Sequence, residues 1–201
     1  MQLPRWESIH PLLGLSQLCL ATGDESFKTA FLNLWQSVRR LDIHNNGSFS
    51  TNEKAEGTPS ETGAIETCCP VTWMGMTIQA VRLTADPVCA EALESATYNT
   101  AMAVQHPSGS WATYNTPMNG RREAPAHTIV FQSRPEQPEL NCRSVNAPCA
   151  FGMITEWGLM KGRDANNGNE VFLNYYGPCQ IDFSVGDRYR LSPQRTCSAR
   201  N

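Results

Sequence analysis

Glu66-Thr67-Cys68-Cys69-Pro70 sets a carboxylate two residues ahead of a pair of thiols. Proline is favoured in the first turn of a helix, where its missing N–H goes unneeded, and residues 73–83 read as helix interior, so both cysteines fall at a helix N-terminus. The unpaired N–H groups and dipole there favour thiolate over thiol, and a carboxylate beside a thiolate makes sense with a cation between them. The motif therefore reads as half of a zinc site. A distant cysteine has to supply the second half. Cys142, in Glu139-Leu140-Asn141-Cys142, is the candidate, with Asn146 and Pro148 predicting a helix start just after it.

The chain that must position these groups has 201 residues, 40% of them hydrophobic, enough for a core of its own. A net charge of −3 leaves no basic footprint, which argues against nucleic acid or an anionic membrane surface as partner. No apolar run approaches the roughly 20 residues needed to span a bilayer. Eight cysteines are scattered, two of them adjacent, and Met1-Gln2-Leu3-Pro4-Arg5 lacks the apolar stretch of a leader peptide. Reduced thiols and a cytoplasmic location are the expectation, with Cys19, Cys89, Cys179 and Cys197 structural or incidental.

Apolar positions predict helices over about 7–21 (Ile9, Leu12, Leu13, Ser16, Cys19) and 27–41 (Phe27, Phe31, Leu34, Trp35, Val38, Leu41). Gly23 suits the C-terminal cap of the first and Asp24 the N-cap of the second, which makes an αα-hairpin. A polar segment, 42–62, carries Glu53 and Glu56, and loops of that length are usually functional or disordered. The helix after Pro70 ends near Thr84, and Asp86 caps a fourth that reaches about Val104, giving a second hairpin. Repeated helix pairs with apolar faces on both members suggest a helical toroid or solenoid rather than a four-helix bundle. Trp35, Trp73 and Trp157 sit at core positions.

Residues 110–115 and 127–132 are aromatic and β-branched and read as short strands around the loop 118–126, an insertion between helices. A fifth helix is expected from Asn146 to Met160, then a Gly/Asn linker over 161–169, then about three strands within 171–191. Too few strands remain for a sandwich, so a truncated chain is expected, with domains 1–163 (partial helical toroid) and 164–201 (start of a β-sandwich).

Six stretches together resemble the catalytic domain of glycoside hydrolase family 127, the non-reducing-end β-L-arabinofuranosidases. They are Leu20-Ala21-Thr22-Gly23-Asp24, Gly47-Ser48-Phe49-Ser50, Ile65-Glu66-Thr67-Cys68, Tyr114-Asn115-Thr116-Pro117, Glu139-Leu140-Asn141-Cys142 with Ser144-Val145-Asn146, and Leu173-Asn174-Tyr175-Tyr176-Gly177. The resemblance implies a mainly α fold: the second half of an (α/α)6 toroid with a short β insertion, followed by the first strands of a C-terminal β-sandwich. Half a ring of inner helices cannot close, which implies a missing N-terminal half or a homo-oligomer.

What the resemblance implies chemically is a retaining glycosidase on a carbohydrate substrate, with a cysteine nucleophile held on zinc in place of the usual second carboxylate. Glu66 and Cys68 match the first two zinc ligands, and Cys142 matches the ligand that is also the nucleophile. Glu53 is the counterpart of the acid/base glutamate, with Glu56 as competitor, and Tyr114 falls where the family has a tyrosine near the sugar. One departure stands out. The family has a second zinc-binding cysteine after the nucleophile, and here that residue is Arg143, which weakens the site; Cys149 or Cys69 is the available substitute. The alternative is a truncated or degenerate relative that keeps only the helical scaffold and some carbohydrate binding.

Overall fold

The computed structural model describes residues 5–49, 64–109, 112–117, 142–163 and 169–175, without side chains at 5–7, 64, 115–117, 142–144, 163 and 169. Helix α1 (Arg5–Thr22) is followed by α2 (Glu25–Leu41), strand β1 (Ala64–Glu66), α3 (Cys68–Thr84) and α4 (Pro87–Ala96). Then come β2 (Asn115–Pro117), α5 (Cys142–Trp157) and the strands β3 (Leu159–Arg163) and β4 (Asn169–Leu173).

Local chemistry explains the first hairpin. Gly23 takes φ +72° and donates its N–H to the Cys19 carbonyl at 2.8 Å, closing α1 in a left-handed turn. Asp24 then accepts from the Ser26 N–H at 2.8 Å and starts α2. Of the apolar positions on α2, Phe31, Trp35 and Val38 are buried, whereas Leu34 and Leu41 lie exposed, so the inward face is narrower than the pattern suggested. The second hairpin uses the same grammar. Ala85 caps α3 with φ +53°, and Asp86 accepts from Val88 N–H at 2.8 Å. Beyond Ala96 the helix path continues as a π turn, Thr97–Ala101, and a 3-10 turn, Met102–Val104, reaching the end expected from the sequence.

α3 is the centre of the fold. It is buried on nearly every side, as a helix apolar all round must be, and it packs against α1, α2, α4 and α5. The odd helices α1, α3 and α5 are neighbours in a row, while α2 and α4 each pair with the helix before them. That alternation of inner and outer helices is the layering of an α/α toroid. Trp35 of α2 stacks on Trp73 of α3 with ring centroids 5.6 Å apart, and Trp35 Nε1–H donates to Thr77 Oγ1 at 3.1 Å. Trp157 packs against the edge of the same core, as its spacing implied.

Three expectations need correction. α5 begins at Cys142, not at Asn146, and Pro148 lies inside it. A proline there removes one helical hydrogen bond and disfavours helix at the residue before it, but Ala147 and Ala150 are buried and α5 packs on α3, and that packing outweighs the local cost. The same helix ends at Trp157, and part of the supposed linker 161–169 belongs to a β3–β4 antiparallel hairpin in the register Leu159↔Leu173 to Arg163↔Asn169. The hairpin straddles the 163/164 boundary and is tied back by Tyr175, whose hydroxyl donates to the Ile154 carbonyl and whose ring meets Tyr98 edge-on at 6.0 Å. Finally, among the described residues of 110–115 only Asn115 is in a strand; Ala112 forms an isolated bridge to Gln105, and β2 pairs with β1, a strand the sequence did not announce. The expected strands 127–132, 180–185 and 188–191 lie outside the described residues.

Among the described residues no helix is long and apolar enough to cross a membrane.

Candidate functional site

The start of α3 is built as the Glu-x-Cys motif suggested, with Cys68 and Cys69 in its first turn and Pro70 behind them. Thr67, at the N-cap position, makes no side-chain cap. Its hydroxyl donates instead to the carbonyl of Thr113 at 2.5 Å, with a weaker contact to that of Tyr114, and its N–H donates to the Tyr114 carbonyl at 2.9 Å. These bonds clamp the 113–114 backbone to the helix start and continue the β1–β2 pairing, in which Glu66 lies opposite Asn115. Tyr114 is thereby delivered to Glu66. Its hydroxyl donates to Glu66 Oε1 at 2.6 Å, the length of a hydroxyl-to-carboxylate bond, with both side chains buried. The helix N-terminus adds partial positive charge a residue or two away, so these surroundings favour anionic groups.

α5 approaches from the other side. Asn146 Nδ2 lies 3.4 Å from Cys68 Sγ, so the first turns of α3 and α5 sit side by side. Cys142 opens α5 one helical turn before Asn146. The side chains of Cys142 and Arg143, and the whole of Glu53 and Glu56, lie outside the described residues.

The cysteines divide. Cys19, Cys69, Cys89 and Cys149 are thiols, and burial pushes the Cys89 thiol up, which makes it inert. Cys68 instead takes part in a disulfide, contrary to the expectation of a fully reduced set; its partner lies outside the described side chains. Sequence spacing is blind to such a bond, because sulfur-to-sulfur reach is decided by where the fold brings two helices. Of the two thiols available to replace the missing ligand, Cys69 is buried in the hydrophobic core and Cys149 is exposed on α5.

Glu66 and a reduced Cys68 fit a borderline cation in donor type, an oxygen and a sulfur two residues apart at a buried, anion-favouring helix start. Among the described residues there is no group of three such ligands, so completion depends on a side chain beyond them. Asn146 is a neighbour of the site to which sequence reasoning gave no role there. Its position on the same face as Cys142 was the available signal.

A partial ring of paired helices with a carboxylate–cysteine pair at the mouth of an inner helix defines an α/α-toroid protein. The chain belongs to the GH127 β-L-arabinofuranosidase catalytic-domain family, whose model matches residues 4–156. Among solved structures it is similar to a GH127 β-L-arabinofuranosidase from Geobacillus stearothermophilus T6, with a TM-score of 0.67 and 20% identity over 88% of this chain. It is also similar to a second GH127 β-arabinofuranosidase, with a TM-score of 0.56 and 17% identity over 72% of this chain. The chain spans 29% of the first protein's length and 22% of the second's. No curated protein matches.

Proposed function

We propose that this chain is the zinc-site portion of a retaining glycoside hydrolase acting on β-L-arabinofuranosides. Glu66, Cys68 and Cys142 would hold the zinc, Cys142 would be the nucleophile and Glu53 the acid/base. What supports the reading most directly is the 3.4 Å approach of Asn146 to Cys68, because it puts the helix that begins with Cys142 beside the one that begins with Cys68. Family membership supports the substrate class.

In this reading, zinc when bound keeps thiol ligands ionised near neutral pH. The Cys142 sulfur attacks the anomeric carbon as the glycosidic C–O bond breaks, and Glu53 gives its proton to the departing oxygen. Water then attacks the same carbon, Glu53 takes its proton, and the C–S bond breaks to release the sugar with its configuration retained. Tyr114 holds the Glu66 carboxylate in place and borders the sugar; Asn146 holds the Cys68 sulfur. All of this requires the reduced form of Cys68.

Release of a chromogenic group from a β-L-arabinofuranoside, lost in Cys142→Ser and Glu53→Gln, tests the reading, and unchanged activity in Cys142→Ser removes the nucleophile assignment. The disulfide at Cys68 and Arg143 favour the rival reading of a non-catalytic relative. Metal analysis under reducing conditions separates the two. One zinc per chain supports the enzyme, and a metal-free chain supports the scaffold.

A further inference from the structure

Of the eight cysteines, Cys19, Cys69, Cys89 and Cys149 are thiols and Cys68 is in a disulfide, which leaves Cys142, Cys179 and Cys197 to supply the second sulfur. Geometry favours the first of these. The Asn146 amide lies 3.4 Å from Cys68 Sγ, and Cys142 precedes Asn146 by one helical turn on the same face of α5. Cys179 follows Asn174 by five residues, and the Asn174 N–H is bonded to the Gly158 carbonyl at the opposite end of α5. Five extended residues span at most about 18 Å, whereas the 16 residues of α5 run about 24 Å back to its start, so Cys179 would have to lie stretched along the whole helix.

We propose that Cys68 and Cys142 form a reversible disulfide that joins the starts of α3 and α5 and switches the site off. The off-state role rests on the functional reading above; the pairing does not. Bonded to each other, the two sulfurs have no thiolate to give a metal or an anomeric carbon.

Three observations favour a switch over a permanent brace. α5 packs on α3 with Ala147 and Ala150 buried, so the two helices do not depend on the bond for their contact. The entrance of α3 is held separately, by Tyr114 on Glu66 and by the Tyr114 carbonyl on the Thr67 N–H. An amide N–H beside Cys68 Sγ suits a thiolate better than a disulfide sulfur, which is a weak acceptor, so Asn146 is placed to receive the reduced form.

Cys68 is fully buried, so an oxidant cannot meet it first. Cys142, which the functional reading requires to reach a sugar, is the thiol that reacts. Its thiolate attacks one sulfur of a low-molecular-weight disulfide, the S–S bond breaks, and a small thiolate leaves with the electron pair. The Cys68 thiolate then attacks the Cys142 sulfur of the mixed disulfide and expels the second small thiolate. Two protein thiols are oxidised, one small disulfide is reduced to two thiols, and the two protein protons end on those thiols. Excess small thiol runs the same steps backwards.

The test takes the 201-residue chain, reduced and then exposed to oxidised glutathione, through non-reducing tryptic mapping by tandem mass spectrometry. A peptide joining Cys68 to Cys142 is expected. Zinc uptake and β-L-arabinofuranosidase activity should be lost in proportion as it forms and return with dithiothreitol, with the far-ultraviolet circular dichroism unchanged throughout. Cys68→Ser should trap Cys142 as its glutathione adduct, whereas the buried Cys68 should stay unmodified in Cys142→Ser. A bond from Cys68 to Cys179 or Cys197, no bond at all, zinc retained by the bonded form, or unfolding on reduction would each overturn the switch. A reduced chain that takes up no zinc and cleaves no arabinofuranoside fails the functional reading and takes the off-state role with it, while the mapping still decides the pairing.

Discussion

Tyr114→Phe removes one oxygen atom and leaves the buried ring. The lost bond runs 2.6 Å to Glu66 Oε1, between side chains only 5% and 3% exposed, so water has little access to replace it. A hydrogen bond to a charged or chargeable group contributes about 1.5–3 kcal/mol, and a buried acceptor left short of a donor carries the full cost. Taking about 2 kcal/mol, and about 2–4 °C of melting temperature per kcal/mol at this chain length, the variant should melt about 4–8 °C lower in thermal denaturation of the chelated, reduced protein. The same hydroxyl orients a proposed ligand. Competition against a chromophoric chelator should therefore show zinc affinity falling about 10–100-fold, the usual consequence of losing an outer-sphere partner. If melting and zinc affinity are both unchanged, the hydroxyl is not holding Glu66, and the argument that Tyr114 and Glu66 form one unit fails.

Further outcomes follow from other contacts. Asn146→Leu keeps side-chain volume but removes the donor 3.4 Å from Cys68 Sγ, so zinc affinity should fall about 10-fold with little change in melting; equal affinity would show Asn146 to be a bystander. Gly47→Ala places a Cβ 2.5 Å from Ser95 Oγ and 2.7 Å from Ala96 N, at φ +88°, where backbone and helix cannot yield. A loss of about 2–3 kcal/mol in urea unfolding is expected, and a wild-type midpoint would mean the turn does not seat on α4 as described. The bonds from Ser26 hold the Asp24 carboxyl below its usual range. Because the folded value is the lower one, its contribution is present above the unfolded value of about 3.9 and lost as pH falls through the folded value. Asp24→Asn can still cap, so it should be less stable than wild type near neutral pH, with the gap closing below about pH 4; a pH-independent gap would contradict this.

The helices could be read in advance wherever their signals were local. Gly23 with Asp24, and Asp86 before Pro87, stop and start helices through bonds to residues two to four positions away, and the spacing of Phe31, Trp35 and Val38 is a helix period. The failures share a different cause. Pro148 argued locally against helix, and burial of Ala147 and Ala150 against a neighbour prevailed. Residues 64–66 had no strand signal because their partner strand lies some fifty residues away. Residues 161–169 read as linker because Gly162, Asn166, Asn167 and Gly168 are turn formers, whereas Phe172 covers Gly162 and β3 leans on α5 with Met160 against the core.

Residue type and spacing alone determined that a carboxylate and a thiol would share one helix entrance, since two positions apart beside Pro70 admits little else. Only the tertiary structure decided what meets them there. Tyr114 reaches Glu66 across 48 residues of sequence and Asn146 reaches Cys68 across 78, because β1 pairs with β2 and α5 lies along α3. Contacts of that separation depend on which faces of distant elements are apolar enough to pack, a property of the assembled molecule rather than of any stretch within it.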